Sequence, residues 1–215
     1  MSIETKTIAD LGAALKGRVI GPEDAEYDRA RTVFVGGIDR RPALIARAAD
    51  EGDVARVVSL ARDSGMELAV RSGGHSGAGH GVSEGGIVLD LSDMRRLDIE
   101  VEGRTAWAQT GLDAAEFTNV AGAHGLATGF GDTGSVGIGG LTLGGGVGYL
   151  ARKHGLTIDD LLAADVVTAD GRLLRVDGET NPDLFWAIRG GGGTSASRLG
   201  SNFGCTSWTR SSAAC

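Results

Sequence analysis

Val70-Arg71-Ser72-Gly73-Gly74-His75-Ser76 is the stretch on which the reading of this 215-residue sequence turns. Leu68-Ala69-Val70 is strand-like and delivers the chain into a turn of small residues around one histidine. A second glycine-rich run, GDTGSVGIGGLTLGGGVG from Gly131 to Gly148, answers it further along. Glycine fills no core and costs conformational entropy, so such clusters mean that backbone approaches something closely or takes positive φ. A flat, phosphate-bearing cofactor is the ligand two such turns suit.

Composition narrows the class. The chain holds 37 glycines, far above the usual ~7%, yet clustered and without a Gly-X-Y period. A length of 215 residues allows one good core or two small ones. The net charge of −7 argues against nucleic acid as a partner, because such binding uses Lys and Arg to displace counterions. The start, MSIETKTIADLGAALKG, lacks an apolar segment behind a basic one, and no apolar run reaches the ~18 residues of a membrane span. Cys205 and Cys215 are the only cysteines, too few for a disulfide framework or a CxxC metal site. The expectation is a cytoplasmic protein with no membrane partner.

Taken in order, residues 7–16 suggest a short helix, followed by an irregular charged segment to about Arg40. Pro42–Arg47 reads as a buried strand. Asp53 is the expected N-cap of a helix Val54–Asp63, with Val54, Val57, Val58 and Ala61 on one face and Ser64-Gly65 ending it. Ile87–Leu91 is a further strand. Asp98–Val101 and Thr105–Gln109 flank a hairpin turn at Glu102-Gly103-Arg104. Asp113–His124 suits a helix with Phe117 and Val120 inward, closed by Gly125. A helix is expected to leave the glycine run over Gly146–His154. Ala164–Ala169 and Arg172–Val176 form a hairpin about Asp170-Gly171, and Asn181-Pro182 opens a helix Asp183–Arg189. Strands and helices without a regular βαβ beat predict an α+β fold.

The familiar nucleotide signatures mostly fail. No GxxxxGK[ST] exists. The one GxGxxG, Gly129 to Gly134, leads into another glycine-rich stretch instead of opening a helix and follows no evident strand, so it is the weak form of the motif and argues against a dinucleotide fingerprint. His75 and His80 share a loop without a metal-ligand pattern. His124 and His154 each precede a glycine near a helix end, where a cation at the negative end of the dipole explains them. His75 differs, because a strand places its ring against whatever the glycines admit.

These pieces together raise a family. Leu68–Ser76 followed by Ile87-Val88-Leu89-Asp90-Leu91-Ser92 resembles the PCMH-type FAD-binding domain of the vanillyl-alcohol oxidase superfamily, in its berberine-bridge-enzyme-like branch. Ser135-Val136-Gly137-Ile138-Gly139-Gly140, Gly144–Gly148, Gly155-Leu156-Thr157, Asp165–Gly171 and Asn181–Trp186 with Arg189–Gly193 match in the same order. The resemblance covers roughly residues 30 to 193. It implies two α+β subdomains with FAD between them, spanning residues 37–193, after an N-terminal segment 1–36.

The resemblance also implies site residues. Backbone N–H groups of Arg71, Ser72, Gly73, Gly74, His75 and Ser76, and of Ser135, Val136, Gly137, Gly139 and Gly140, would form pyrophosphate nests. A helix starting near Gly144, Gly145 and Gly146 would add its positive end, with Gly148 in the same run. Thr133 is a further cofactor-side position, and the backbone of Val166 would face the adenine. In such relatives the histidine matching His75 bonds to the flavin 8α-methyl. The implied activity is that of an FAD-linked oxidase, passing hydride from a small-molecule substrate C–H to flavin N5 and electrons to O₂.

Two departures qualify it. Many bicovalent relatives carry Cys-Pro-Thr or Cys-Pro-Ser where this chain has Thr133-Gly134-Ser135, so a cysteinyl link is excluded and any covalent link is through His75 alone. After Gly193 the family continues Asn-Phe-Gly-Val-Val-Thr, whereas residues 194–215 read TSASRLGSNFGCTSWTRSSAAC. Possible codons for that tail, moved by one base, read Asn-Phe-Gly-Val-Ala-Thr-Arg-Phe-Glu-Phe-Arg-Leu-His, which suggests a frameshift; a natural disordered tail is the alternative. The catalytic base would lie beyond this sequence, and Tyr149 is read as packing. An inactive flavin-binding fragment and a noncatalytic α+β protein remain as other readings.

Overall fold

Four short runs near the N-terminus build the first sheet. β1 (Arg18–Ile20), β2 (Leu44–Arg47), β3 (Leu68–Arg71) and β4 (Ile87–Asp90) lie in the order β1-β2-β4-β3. β4 pairs parallel to both β2 and β3, and β1 runs antiparallel to β2. The central strands, Leu-Ile-Ala-Arg and Ile-Val-Leu-Asp, are almost continuously apolar, as a sheet covered on both faces requires. In this computed structural model, which describes residues 11–191 and 196–207, both faces are covered.

Leu44, Ala46, Ile87 and Leu89 pack on one face against Val54, Val57, Val58 and Ala61. The latter four belong to a helix over Glu51–Ser64. Ile45, Ala69 and Val88 pack on the other face against Tyr27, Ala30 and Val33. The first two of those three lie in α1 (Tyr27–Arg31), in a segment expected to be irregular. The helix α2 (Glu51–Ser64) starts earlier than expected, and Asp50 is its N-cap, accepting from the Asp53 amide at 3.0 Å. Asp53 is fully buried and accepts instead from the backbone amides of Lys16, Gly17 and Ala49. Gly65, at φ 65°, closes the helix as expected.

The second sheet is antiparallel throughout: β5 (Leu97–Glu100), β6 (Thr105–Gln109), β8 (Leu161–Thr168), β9 (Leu173–Asp177) and β10 (Ala196–Gly204), ordered β5-β6-β10-β8-β9. Both expected hairpins are present. α3 (Ala114–Ala123) begins with a capping box between Asp113 and Glu116 and buries Ala114, Phe117 and Ala121 on this sheet. Val120, expected inward, is 44% exposed. Phe117, Phe130 and Phe203 meet edge to face, with centroids 4.8 to 5.7 Å apart. β7 (Leu126–Ala127) pairs with β11 (Thr206–Ser207), and α6 (Pro182–Ile188) begins with proline as expected.

Of the expected first helix, residues 11–14 are helical and the rest lies outside the described residues. The expected break after Gly193 also falls outside them. Just past it, β10 occupies the centre of the second sheet, with register irregularities between Arg198 and Gly200 and between Asn202 and Phe203. Among the described residues, no helix is long and apolar enough to cross a membrane. The α+β, two-subdomain architecture is the expected one.

Candidate functional site

The parallel register sets the edge of the site. Arg47, Asp90 and Arg71 are register partners across β2, β4 and β3, all at the strands' C-terminal ends, where open parallel sheets place their ligands. Arg47 Nε and Arg71 Nη2 donate to Asp90 Oδ2 at 3.0 and 2.9 Å, and the Ser92 amide donates to Oδ1 at 3.0 Å. Burial alone pushes the Asp90 carboxyl up, but the charge of Arg71 and the hydrogen bonds from Arg71 and Ser92 outweigh it and hold the group below its ordinary value. Arg71 Nη2 also donates to the Ala30 carbonyl at 2.6 Å, while its buried Nη1 has no hydrogen-bond partner among the described residues. The strand end is thereby pinned just where the loop Ser72–Ser76 departs.

A second loop meets the first there. The Ala114 amide donates to the Val136 carbonyl at 2.9 Å and the Ile138 amide to the Leu112 carbonyl at 3.0 Å. Residues 136–138 are thus tied to the start of α3, and α4 (Ile138–Leu143) follows. The loops touch backbone to backbone: a Cβ on Gly73 would lie 2.3 Å from the Gly137 nitrogen, and one on Gly137 would lie 2.2 Å from the Gly73 nitrogen. No side chain fits at either position. The Ser72 hydroxyl donates to the Thr110 carbonyl beneath the crossing.

Above the crossing lies a cleft of about 440 Å³, within the usual range for a small-molecule site. Val70 to Ser76, Val136, Gly137, Gly139, Gly140 and Gly144 line it. Most of the expected positions are therefore brought together. Sequence reasoning missed His80, Gly81, Leu91, Thr110, Leu141 and Leu143, which also line it. His80 and Gly81 lie just past the first glycine turn and Leu141 and Leu143 within the second run, whereas nothing beside Leu91 or Thr110 in sequence marks them.

His75 stands at this cleft. Its Nε2 lies 3.2 Å from Ser135 Oγ, and its ring stacks on Phe34 with centroids 4.0 Å apart and planes 16° from parallel. Phe34 carried no sequence signal. It reaches the site because its amide donates to the Gly74 carbonyl at 3.1 Å.

Several expected positions lie elsewhere. The run Gly144–Gly148 starts no helix: α4 ends at Gly144, and α5 spans only Ala151–His154. Gly145 and Gly146 have φ of 101° and 74°, and a Cβ on Gly146 would meet Thr157 Oγ1 at 2.1 Å. Gly146 and Gly148 pack against Thr157 and Gly131, and of the run only Gly144 lines the cleft. Val166 is fully buried in the middle of β8, its neighbours being β9 and β10, away from the cleft. Thr133 is exposed in a turn. Tyr149, expected to pack, is 87% exposed.

The donor set fits a dinucleotide cofactor. Two loops that touch backbone to backbone at Gly73 and Gly137 bring Gly73, Gly74, Gly137, Gly139 and Gly140 to the lining of the cleft, together with the strand-end Arg71. The FAD binding domain model matches residues 42–177. (R)-6-hydroxynicotine oxidase of Paenarthrobacter nicotinovorans is 41% identical over 179 residues, 83% of this chain and 39% of that protein. Berberine bridge enzyme-like 18 of Arabidopsis thaliana is 40% identical over 159 residues, 72% of this chain and 30% of that protein. The crystal structure of 6-hydroxy-D-nicotine oxidase from Arthrobacter nicotinovorans superimposes with a TM-score of 0.88 at 38% identity, over 90% of this chain and 43% of that one. A glucooligosaccharide oxidase from Acremonium strictum, described with a 6-S-cysteinyl, 8α-N1-histidyl FAD, gives 0.88 at 32% identity, over 93% of this chain and 42% of that one. This chain spans about two-fifths of the length of such relatives.

Proposed function

The chain belongs to the family of FAD binding domains, in the berberine-bridge-enzyme-like oxidase group, and on that premise we propose that it is the cofactor half of an FAD-linked oxidase with its flavin joined to His75. The carrying observation is the crossing of Gly73 on Gly137 with the His75 ring at its side. Bound FAD would supply the hydride acceptor for oxidation of a small-molecule C–H bond and pass the electrons to O₂. The chain's own residues bind and orient. Amides of the two loops hold the pyrophosphate, the buried Arg71–Asp90 pair keeps the first loop at its strand end, and His75 anchors the ring system.

The purified chain is expected to be yellow and to keep that colour in the acid-precipitated pellet, with His75→Ala releasing it to the supernatant. Flavin that stays in the pellet in the variant overturns the His75 link. A colourless, well-folded monomer overturns the cofactor reading altogether.

A second reading concerns activity. The irregular register of β10, and the one-base shift that turns the tail into the family's text, support a frameshift after Gly193. The chain would then be an inactive flavin-binding fragment. Sequencing the gene decides this, and the shifted-frame product should carry the substrate half and turn over.

A further inference from the structure

The His75 ring is gripped from two remote parts of the chain. Phe34 comes from the segment covering the first sheet, and Ser135 from the second loop. Phe34 is 67% exposed, a poor position for a large apolar side chain unless its face is used, and here it lies on the imidazole. Its own loop is fastened beside His75: besides the Phe34 amide on Gly74, Arg40 Nη1 donates to the carbonyls of Gly79 and Val82 at 3.0 and 2.9 Å. Stacking leaves the half-turn of the ring about Cβ–Cγ, and Ser135 selects one of its two settings by engaging Nε2. Among the described residues Nδ1 has no hydrogen-bond partner.

We propose that Ser135 and Phe34 are positioning residues that present His75 Nδ1, with its lone pair free, for bonding to a flavin 8α carbon. The inference rests on the FAD-binding reading above. An imidazole nitrogen attacks only with a lone pair, so the neutral ring must carry its proton on Nε2, donated to Ser135 Oγ. In the net step one 8α C–H bond is replaced by an 8α C–Nδ1 bond. The carbon's proton and the Nε2 proton depart, two electrons enter the flavin, and O₂ removes them with both protons as H₂O₂. Afterwards Nε2 bears the lone pair and accepts from the Ser135 hydroxyl. A hydroxyl serves both stages because it donates and accepts. A methyl group serves neither.

Two measurements test this separately from the cofactor reading. In the flavin-free chain at pH 8, nitrogen chemical shifts of His75 should report an Nε2–H tautomer alone. Ser135→Ala should give a mixture, and Ser135→Thr should restore the wild-type pattern. In the chain supplied with FAD, Ser135→Ala should slow the growth of acid-stable flavin about tenfold, the worth of one hydrogen bond. Phe34→Ala should slow it as well, while Phe34→Tyr keeps the wild-type rate. A wild-type Nδ1–H tautomer, or Ser135→Ala that links flavin at the wild-type rate, overturns the proposal. Wild-type chain with the expected tautomer but no acid-stable flavin retires the covalent link and leaves the positioning of the ring standing.

Discussion

The two sheets solve closure in opposite ways. The first takes all its strands from residues 18–90, and its central strand β4 is in place once Asp90 is reached. Its parallel pairs are sealed by helix on one face and by the α1 segment on the other, with one ion cluster across three strand ends. The second sheet is assembled from hairpins whose central gap, between β6 and β8, is filled only by Ala196–Gly204. The first can therefore complete itself early and locally. The second waits on a long-range pairing whose loop-closure entropy must be met late. The cleft needs both, since one glycine loop lining it springs from β3 and the other is tied to α3 of the second half.

Removing residues 194–215 should have the largest effect. It opens two ladder edges at β6 and β8 and strips Phe203 from Phe117 and Phe130. Exposed edges of that kind recruit other chains, so the shortened chain should run as soluble aggregates on size exclusion. In native-state hydrogen exchange, amides of residues 44–47, 68–71 and 87–90 should stay protected while those of 105–109 and 161–168 lose protection. Equal loss in both sheets would show that they fold as one unit and would break the comparison.

Asp90→Asn attacks the other sheet. It leaves Arg71, 6% exposed and already holding an unpartnered Nη1, without its counter-charge. Breaking a buried pair from one side costs about 3–5 kcal/mol. The pH dependence follows from the carboxyl's lowered value. A depressed group contributes its stability above the unfolded value, about 4, and loses it as pH falls through the folded one. The gap between wild type and Asp90→Asn in urea midpoint should be full at pH 7 and close as pH falls below about 4. A gap that does not change with pH would assign the cost to packing alone.

Much of this was legible in the sequence because the signals were local. Gly65 and Asp170-Gly171 act through their own backbone angles or turn, and the two glycine loops could be matched as blocks. The misses were cases where a tertiary partner decided between local options. Asp53 was the expected cap, but Asp50 takes that place, and the amides of Lys16, Gly17 and Ala49 claim Asp53 for the interior. Phe117 is followed inward by Ala121 and not by Val120, because the helix packs closely on small residues. Phe34 and the Gly146–Thr157 contact join remote segments, so nothing beside them in sequence marks them.

The smallest change in stability, with a large change in function, should come from Gly137→Ala. One methyl group there meets the Gly73 nitrogen and Ser72 Oγ, each at 2.2 Å, and backbone on both sides cannot yield as a flexible side chain would. Overpacking of this kind costs about 1–3 kcal/mol, which the loops can meet by separating. Both sheets keep their cores in doing so, since neither glycine contributes to one. Hydrogen exchange in the two sheets should therefore remain near wild type while flavin retention falls to background. That outcome would locate the site in the crossing itself and not in either subdomain. A Gly137→Ala chain that retains flavin normally would mean the loops need not touch, and the cradle would then have to be assigned to the first loop alone.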